Sequence, residues 1–379
     1  MLANDNLAVK GVADKNVERI YYPELDGLRF FAFLLVFIHH NTLFSIIPGF
    51  SILYSQGWVG VDLFFALSSF LFTKLLLSEY NKNHSINFKK FYLRRVFRIW
   101  PIYFIYVIFI ILFIIFHLHQ KLSNYYIIRI VGLFAFSDNI MTAMYGFNTL
   151  PYSGHLWTIA YEEQFYIFIP IIILFLARSS LKTKRFSFIL VVILLNLIRL
   201  VFIAKNIHHP AIWVLPVTHF ESIIFGMVIG FGGIDFLIKK IKPIFLGLAG
   251  VFFFVLLSLL PNVEDISYLL ILTYLFVGIS TSLVLFSVSN SNLLKKVFSK
   301  KVLVFLGKRS YGLYIYHLFG NGIAGILIDK LHFIPSGLLA SFLCCLTITI
   351  IASIISYKII ETPFLKLKKR FEVIISRPI

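Results

Sequence analysis

The chain alternates between long apolar segments and short polar breaks over almost its whole length. Each apolar segment is roughly 20 residues long, which is the length that an α-helix needs to cross about 30 Å of hydrocarbon. We place these segments at residues 28–47, 57–77, 100–118, 157–177, 186–204, 212–233, 243–260, 268–289, 306–328 and 337–358. The pattern predicts an all-α fold, a polytopic integral membrane helical bundle of about ten transmembrane helices.

Basic residues are concentrated in alternate breaks, and cytoplasmic loops are the ones that carry an excess of Lys and Arg. The breaks rich in Lys and Arg lie at residues 10–19, 82–98, 178–185, 239–242, 295–301 and 366–377. The remaining breaks contain only Lys121, Arg129, Lys205 and Lys330. This asymmetry predicts that the N and C termini are both cytoplasmic.

Residues 127–144 form a further apolar stretch whose placement is ambiguous. If this stretch were a span, residues 138–156, which contain neither Lys nor Arg, would be cytoplasmic and every later loop would be inverted. We therefore expect residues 127–144 to be a re-entrant or interfacial piece on the outer side.

Composition excludes an ordinary soluble domain. Hydrophobic residues make up 59% of the chain and charged residues 14%, with a mean hydropathy of +0.89, whereas soluble domains carry about 25% charged residues. The net charge of +18 is explained by basic loops that face anionic membrane lipids, so it gives no indication of a nucleic-acid partner. No polar segment is long enough for an appended soluble domain, and we expect residues 1–379 to form a single membrane domain. Cys344 and Cys345 are adjacent and resemble no metal site.

The first apolar segment has a basic residue near each end. In ELDGLRFFAFLLVFIHH, residues 24–40, Arg29 precedes His40 by eleven positions. Eleven helical steps make roughly three turns and a rise of about 16 Å, so the two side chains share one helical face. Arg29 is then near the cytoplasmic interface, while His40 reaches the middle or outer half of the bilayer and faces a wet cavity or the bundle interior. The alternative is that Arg29 snorkels to the headgroups and His40 only bonds a neighbouring helix.

Several later spans also carry buried polar side chains. The further groups are Asp62 with Ser69, His155 with Glu162 and Glu163, His219 with Glu221, and Ser310 with His317. Packing alone needs one or two such contacts, so this number of groups indicates a lined cavity for proton chemistry or ion conduction. Lys74, Arg199 and Lys358 lie near span ends or on single faces, and we expect them to snorkel.

A basic inner loop, NFKKFYLRRVFRIWP, suits a different chemistry. Arg95 and Arg98 are three residues apart and so are neighbours on one helical face. Guanidinium pairs of this kind bind phosphate groups in a bidentate manner. The positive-inside rule and attraction to anionic lipid, about 1 kcal/mol per residue, explain the same residues, so the loop alone does not decide between these readings.

Taken together, six separated motifs resemble those of the acyltransferase-3 family, whose members O-acylate bacterial surface polysaccharides, lipopolysaccharide, peptidoglycan and some antibiotics. The motifs are LDGLRFFAFLLVFIHH, GWVGVDLFFALSSFL, RRVFRIWPIY, HLWTIAYEEQFYIFIP, SYGLYIYH and YKIIETPF. The resemblance covers about residues 21–370, nearly the whole chain, and the motifs occur in the family's order.

The resemblance implies a membrane O-acyltransferase of the bacterial cytoplasmic (inner) membrane. The implied donor is acyl-CoA, usually acetyl-CoA, with no metal, and the implied acceptor is a hydroxyl of an extracytoplasmic or lipid-linked glycan such as O-antigen, capsule or exopolysaccharide. Donor binding is assigned to Arg29, Arg95 and Arg98, and catalysis to His40, Glu162, Glu163, Asp62 and His317. In this scheme His40 is the general base or a transient acyl carrier, one of the two glutamates orients or protonates, and the remaining two residues position partners across the cavity.

Three residues depart from the family pattern. Ser69 replaces a glycine, which predicts a looser helix contact, Phe319 replaces a proline after the late histidine, and His219 replaces an arginine before Glu221. The same buried acids also fit a second interpretation, a proton-coupled transporter or flippase of a lipid-linked sugar. Transfer from labelled acyl-CoA distinguishes the two, because a transporter does not catalyse it.

Overall fold

A computed structural model describes residues 20–47, 49–116, 123–147, 150–207, 209–330 and 337–378. The predicted all-α fold is confirmed for this part of the chain. The α-helices are α1 (Pro23–His39), α2 (Leu43–Ile46), α3 (Ser51–Ser55), α4 (Val59–Asn83), α5 (Phe88–Phe116), α6 (Asn124–Phe134), α7 (Asp138–Tyr145), α8 (Trp157–Arg178), α9 (Leu181–Ala204), α10 (Ala211–Val214), α11 (Glu221–Gly230), α12 (Pro243–Leu256), α13 (Leu270–Asn290), α14 (Asn292–Phe298), α15 (Lys301–Lys308), α16 (Ser310–Lys330), α17 (Leu338–Ser356) and α18 (Thr362–Lys369).

Seven helical stretches of the described chain are long and apolar enough to cross a membrane. They are Val59–Asn83, Phe88–Phe116, Trp157–Arg178, Leu181–Ala204, Leu270–Asn290, Ser310–Ile328 and Leu338–Lys369. The other three predicted spans correspond to shorter helices, namely α1, α11 and α12. A polytopic bundle is therefore supported, while the count of ten and the cytoplasmic placement of both termini stay predictions. Lys10, Lys15, Arg19 and Lys121 lie outside the described residues.

The first helix ends at His39, well before the predicted span end at residue 47. Just beyond it, Asn41 Oδ1 accepts a hydrogen bond from the backbone N–H of Leu43 at 3.2 Å. Asn side chains that bond nearby backbone in this way compete with helix continuation. His40 consequently lies at a helix end, where its ring is exposed to the space beyond α1.

The centre of the bundle is formed by α1, α4, α11 and α13. Gly60 of α4 lies against the carbonyl group of Ala32 in α1, and Gly226 of α11 lies against Ser69 and Ala66 of α4. Small residues at such contacts let helix backbones approach closely, which is the usual basis of packing inside a membrane. The contact at Ser69 is therefore close rather than loose, because Gly226 opposite it has no side chain.

Residues 127–144 lie in a helical hairpin made of α6 and α7. Arg129 of α6 pairs with Asp138 of α7 at 2.9 Å, and both side chains are 1% exposed. The 11 residues of α6 rise about 16 Å, roughly half the thickness of the hydrocarbon. Asn139 of α7 and Gln164 of α8 exchange amide hydrogen bonds of 2.8 and 3.1 Å. The hairpin is thus too short to be a span and is anchored to α8.

Candidate active site

Two neighbouring cavities lie between α1, α4, α5, α8 and α16. The inner cavity, on the predicted cytoplasmic side, has a volume of about 90 Å³ and is lined by Arg29, Ser68, Arg95, Arg98, Glu162 and Tyr166, among others. The outer cavity has a volume of about 280 Å³ and is lined by His39, His40, His155, Trp58, Trp157 and Trp213, among others. The two cavities share lining residues, so they are adjacent to each other.

Three guanidinium groups meet at the inner cavity. Arg29 is 3.8 Å from Asp26 Oδ1, and that carboxylate also pairs with Arg377 at 2.9 Å. Arg95 lies with its guanidinium 4.5 Å from the Phe72 ring centroid, and its Nε has no hydrogen-bond partner. The two carboxylates of this region, Asp26 and Glu162, do not balance these three cations and Arg377, so positive charge is in excess around the inner cavity.

Among the described residues, no carboxylate oxygen lies within 4 Å of the guanidinium group of Arg95 or Arg98. Arg94, which directly precedes Arg95 in the sequence, is 3.6 Å from Glu79. It also donates a hydrogen bond to the carbonyl oxygen of Phe371 at 3.0 Å. The arginines of this loop therefore divide into one that holds the fold together and two that face the cavity.

Only one of the two adjacent glutamates faces the inner cavity. Glu162 accepts hydrogen bonds from Ser68 Oγ at 3.3 Å and from Tyr166 OH at 2.7 Å. Glu163 instead accepts from the indole N–H of Trp100 at 3.2 Å, and it lines neither cavity. The geometry therefore favours Glu162 over Glu163 for contact with a substrate.

Three imidazole rings form a row beside the outer cavity. The ring centroids of His40 and His317 are 5.0 Å apart, and those of His317 and His155 are 4.7 Å apart. The residues come from the end of α1, from α16 and from the turn before α8. The sequence predicted His40 and His317 as site residues and His155 as a buried polar group of another span, and the fold brings the three rings together.

Backbone carbonyl groups fix the tautomers of these histidines. His40 Nδ1 lies 2.9 Å from the carbonyl oxygen of Val36, and His317 Nδ1 lies 2.6 Å from that of Tyr314. A carbonyl oxygen only accepts, so Nδ1 carries the hydrogen in both rings. A neutral His40 therefore has its lone pair on Nε2, which is the atom that a general base needs.

Asp62 does not reach the histidine row. Its Oδ1 lies 2.9 Å from His219 Nε2 and accepts from Ser222 Oγ at 2.7 Å. His219 Nδ1 lies 2.8 Å from the carbonyl oxygen of Trp213. Asp62 is completely buried and lines neither cavity. The structure thus places Asp62 and His219 in one buried pair between α4 and the start of α11.

The expectation that Arg199 snorkels is wrong. Its side chain is 0% exposed and pairs with Glu221 at 2.6 Å, while its Nε and Nη2 donate to the carbonyl oxygen of Thr218. The ring of Tyr274 lies 4.5 Å from the guanidinium carbon. A charge at this depth is stabilised by a partner rather than by reaching the headgroups.

Sequence reasoning missed several residues that line the cavities. Ser68, Tyr166, Thr158 and Tyr314 carry hydroxyl groups there. Tyr166 and Thr158 each lie four positions from Glu162, so helical spacing could have placed both on the same face. No local signal identifies Ser68 or Tyr314, because their neighbours come from other helices.

Comparison with known proteins shows which family the chain resembles. The family described as "Acyltransferase domain" matches residues 22–358. A protein of Staphylococcus aureus strain COL named "Putative O-acetyltransferase SACOL0978" is 30% identical over 91% of this chain and 58% of its own length. "O-acetyltransferase OatA" of Staphylococcus aureus strain NCTC 8325 is 27% identical over 93% of this chain and 59% of its own.

The chain therefore spans somewhat more than half the length of these relatives. No solved structure matches it. The family match covers nearly all of the bundle, including both cavities, and it confirms the resemblance that the six motifs carry. The chain belongs to the acyltransferase-3 family.

Proposed function

We propose that this protein is a membrane O-acyltransferase that moves an acyl group, most simply acetyl, from cytoplasmic acyl-CoA to a hydroxyl of an extracytoplasmic or lipid-linked glycan. The observation that carries the proposal is the succession of an arginine-lined inner cavity and a histidine-lined outer cavity with shared walls. An anionic donor on one side and a base on the other is the arrangement that transfer across the membrane needs.

The inner cavity suits the phosphate-bearing end of the donor. Arg29, Arg95 and Arg98 line it together, and guanidinium groups bind phosphate oxygens through charge-assisted, bidentate hydrogen bonds. The excess of guanidinium groups over carboxylates at the inner cavity favours an anionic substrate, because an anion stabilises charges that are otherwise partly desolvated. The long pantetheine arm then extends towards the outer cavity with its thioester at the end.

The outer cavity suits the acceptor. His40 Nε2 accepts the proton of the acceptor hydroxyl, whose oxygen attacks the thioester carbonyl carbon. The new C–O bond forms as the C–S bond breaks, and the protonated His40 then returns the proton to the leaving CoA sulfur. His317 fixes the position of the His40 ring, and Glu162 orients the donor at the inner side. Each step leaves atoms and charges balanced without a further reactant.

Aromatic side chains around the outer cavity support a glycan acceptor. Trp58, Trp157 and Trp213 line it, and the Trp213 ring centroid is 5.0 Å from that of Trp157 and 5.7 Å from that of Trp58. Indole rings combine a large apolar face with one polar N–H, which suits binding of an amphipathic sugar ring. The cell's surface glycans on the outer side of the bacterial cytoplasmic membrane are then the acceptor pool.

Labelled donor provides the test. Purified protein in nanodiscs is incubated with acetyl-CoA labelled in the acetyl group and with glycan extracted from the cell surface. The expected result is label in the glycan together with release of free CoA thiol. A protein that binds acyl-CoA but transfers no label, or that moves a lipid-linked sugar without consuming acyl-CoA, contradicts the proposal.

A further inference from the structure

A wall of three residues separates the inner cavity from the outer cavity. Val61 of α4, Thr158 of α8 and Tyr314 of α16 are the described residues that line both cavities, and each is at most 7% exposed. We call these three residues the partition. Since they come from three helices, the width of the partition depends on how those helices pack.

Hydrogen bonds hold the partition closed. Thr158 Oγ1 and Tyr314 OH are 2.9 Å apart, and the carbonyl oxygen of His155 lies 2.9 Å from the first hydroxyl and 3.3 Å from the second. Because a carbonyl only accepts, Thr158 Oγ1 donates to it, and the Tyr314 hydroxyl donates either to the same carbonyl or to Thr158 Oγ1. The Tyr314 ring is also held edge-on by Phe64, with centroids 6.0 Å apart.

The partition lies between the inner cavity, where the proposed donor binds, and the outer cavity, where the proposed acceptor binds. Thr158 is one helical turn before Glu162 on α8, and Tyr314 is three residues before His317 on α16. In the proposed reaction, a thioester whose phosphates stay on the arginines of the inner cavity reaches His40 by passing between these side chains. The acyl group therefore passes the partition before transfer, and the pantetheine arm lies between the three side chains during transfer.

We propose that the partition selects the acyl group, and that the methyl groups of Val61 and Thr158 set the width of the largest acyl group that passes. This inference rests on the proposed function and specifies its donor as an unbranched acyl thioester such as acetyl-CoA. The Tyr314 hydroxyl moves aside when the thioester enters, while the two methyl-bearing side chains stay in place. One additional methylene-sized group in a fitted apolar site changes discrimination about 10- to 200-fold, which is enough to distinguish acetyl from the wider isobutyryl group.

Substitutions at the partition test the effect of its width and the effect of its hydrogen bonds one at a time. Val61→Ala removes two methyl groups, and Thr158→Ser removes one methyl group but keeps the hydroxyl, whereas Tyr314→Phe keeps the ring and removes the hydroxyl. The measured quantity is kcat/KM for the branched donor isobutyryl-CoA divided by kcat/KM for acetyl-CoA, with full-length protein in nanodiscs. We expect Val61→Ala and Thr158→Ser to raise this ratio about tenfold. Tyr314→Phe is expected to change kcat/KM for both donors by the same factor, so that the ratio stays the same.

A buried valine elsewhere gives the matched control. Val288 of α13 is 1% exposed and lines neither cavity, so Val288→Ala creates a similar loss of packing without widening the passage. We expect it to leave the ratio unchanged. The inference is overturned if Val61→Ala and Thr158→Ser keep the original ratio while still using acetyl-CoA, or if Val288→Ala raises it equally. Absence of any acyl-CoA turnover in the unmodified protein instead refutes the proposed function itself.

Discussion

His40 and His317 face each other from the end of α1 and from α16, with their ring centroids 5.0 Å apart. Each ring has its Nδ1 bound to a carbonyl group of its own helix. Both rings therefore have a fixed tautomer with Nε2 away from the helix backbone. In the proposed mechanism His40 acts as the base while the ring of His317 limits its orientation, and several consequences can be measured.

Replacing His40 by asparagine should remove transfer while preserving the fold. His40→Asn keeps a polar side chain at the helix end but has no basic nitrogen, and loss of a general base costs about 10²- to 10⁴-fold in rate. Acetyl transfer to glycan and thermal unfolding in detergent are measured together. His84→Asn is the control, because His84 is exposed at the end of α4 in a left-handed conformation that asparagine tolerates. Transfer at the original rate by His40→Asn removes this residue from the mechanism.

Arg95 should affect donor binding, while its neighbour Arg94 should affect stability. Arg95→Ala removes a cavity cation, and loss of hydrogen bonds to a charged group is expected to raise the KM for acyl-CoA about 10- to 100-fold. Arg94→Ala breaks the contacts with Glu79 and Phe371, so it should lower the unfolding temperature more than it changes KM. The exposed Lys90→Ala is the control for lost positive charge in the same loop. Equal effects on KM from all three variants would mean that general electrostatic attraction, not a site, binds the donor.

The two adjacent glutamates should differ in their effect on activity. Glu162→Gln keeps the side-chain shape but weakens the acceptor of the Ser68 and Tyr166 hydroxyl groups, so kcat should fall about 100-fold. Glu163→Gln is the matched variant, and its kcat should stay within about tenfold of the original because this residue bonds Trp100 away from the cavity. Steady-state kinetics with acetyl-CoA measures kcat for both variants. A larger loss of kcat for Glu163→Gln than for Glu162→Gln would mean that Glu163, not Glu162, acts in the reaction.

Substitutions in the buried pair of Arg199 and Glu221 should change the stability of the folded protein. Arg199→Met leaves Glu221 as an uncompensated charge, and breaking a buried pair on one side costs about 3–5 kcal/mol. The double variant Arg199→Met with Glu221→Leu should recover most of that loss, because no buried charge remains unpaired. Unfolding temperatures of the single and double variants are compared. A double variant as unstable as Arg199→Met would show that the pair itself, not the stranded charge, supplies the stability.

The sequence by itself determined the class of the protein and much of its chemistry. Apolar segments of bilayer length require helices, since only helices satisfy their own backbone hydrogen bonds in hydrocarbon. The three-turn spacing of Arg29 and His40 placed both on one helical face, and the structure has them lining consecutive cavities. These features follow from residue spacing along one helix, which is a local property that needs no knowledge of the neighbours.

Only the tertiary structure decided which polar groups meet. Asp62 and Val61 are adjacent on α4, yet Asp62 binds His219 while Val61 lines both cavities, because successive helical residues point about 100° apart. The choice of Glu162 over Glu163 arises in the same way. In a membrane bundle the lipid-facing and protein-facing surfaces are both apolar, so hydrophobic patterning does not reveal which helix faces are neighbours. The contacts of buried polar residues are therefore fixed by helix packing, which the pattern along the chain does not encode.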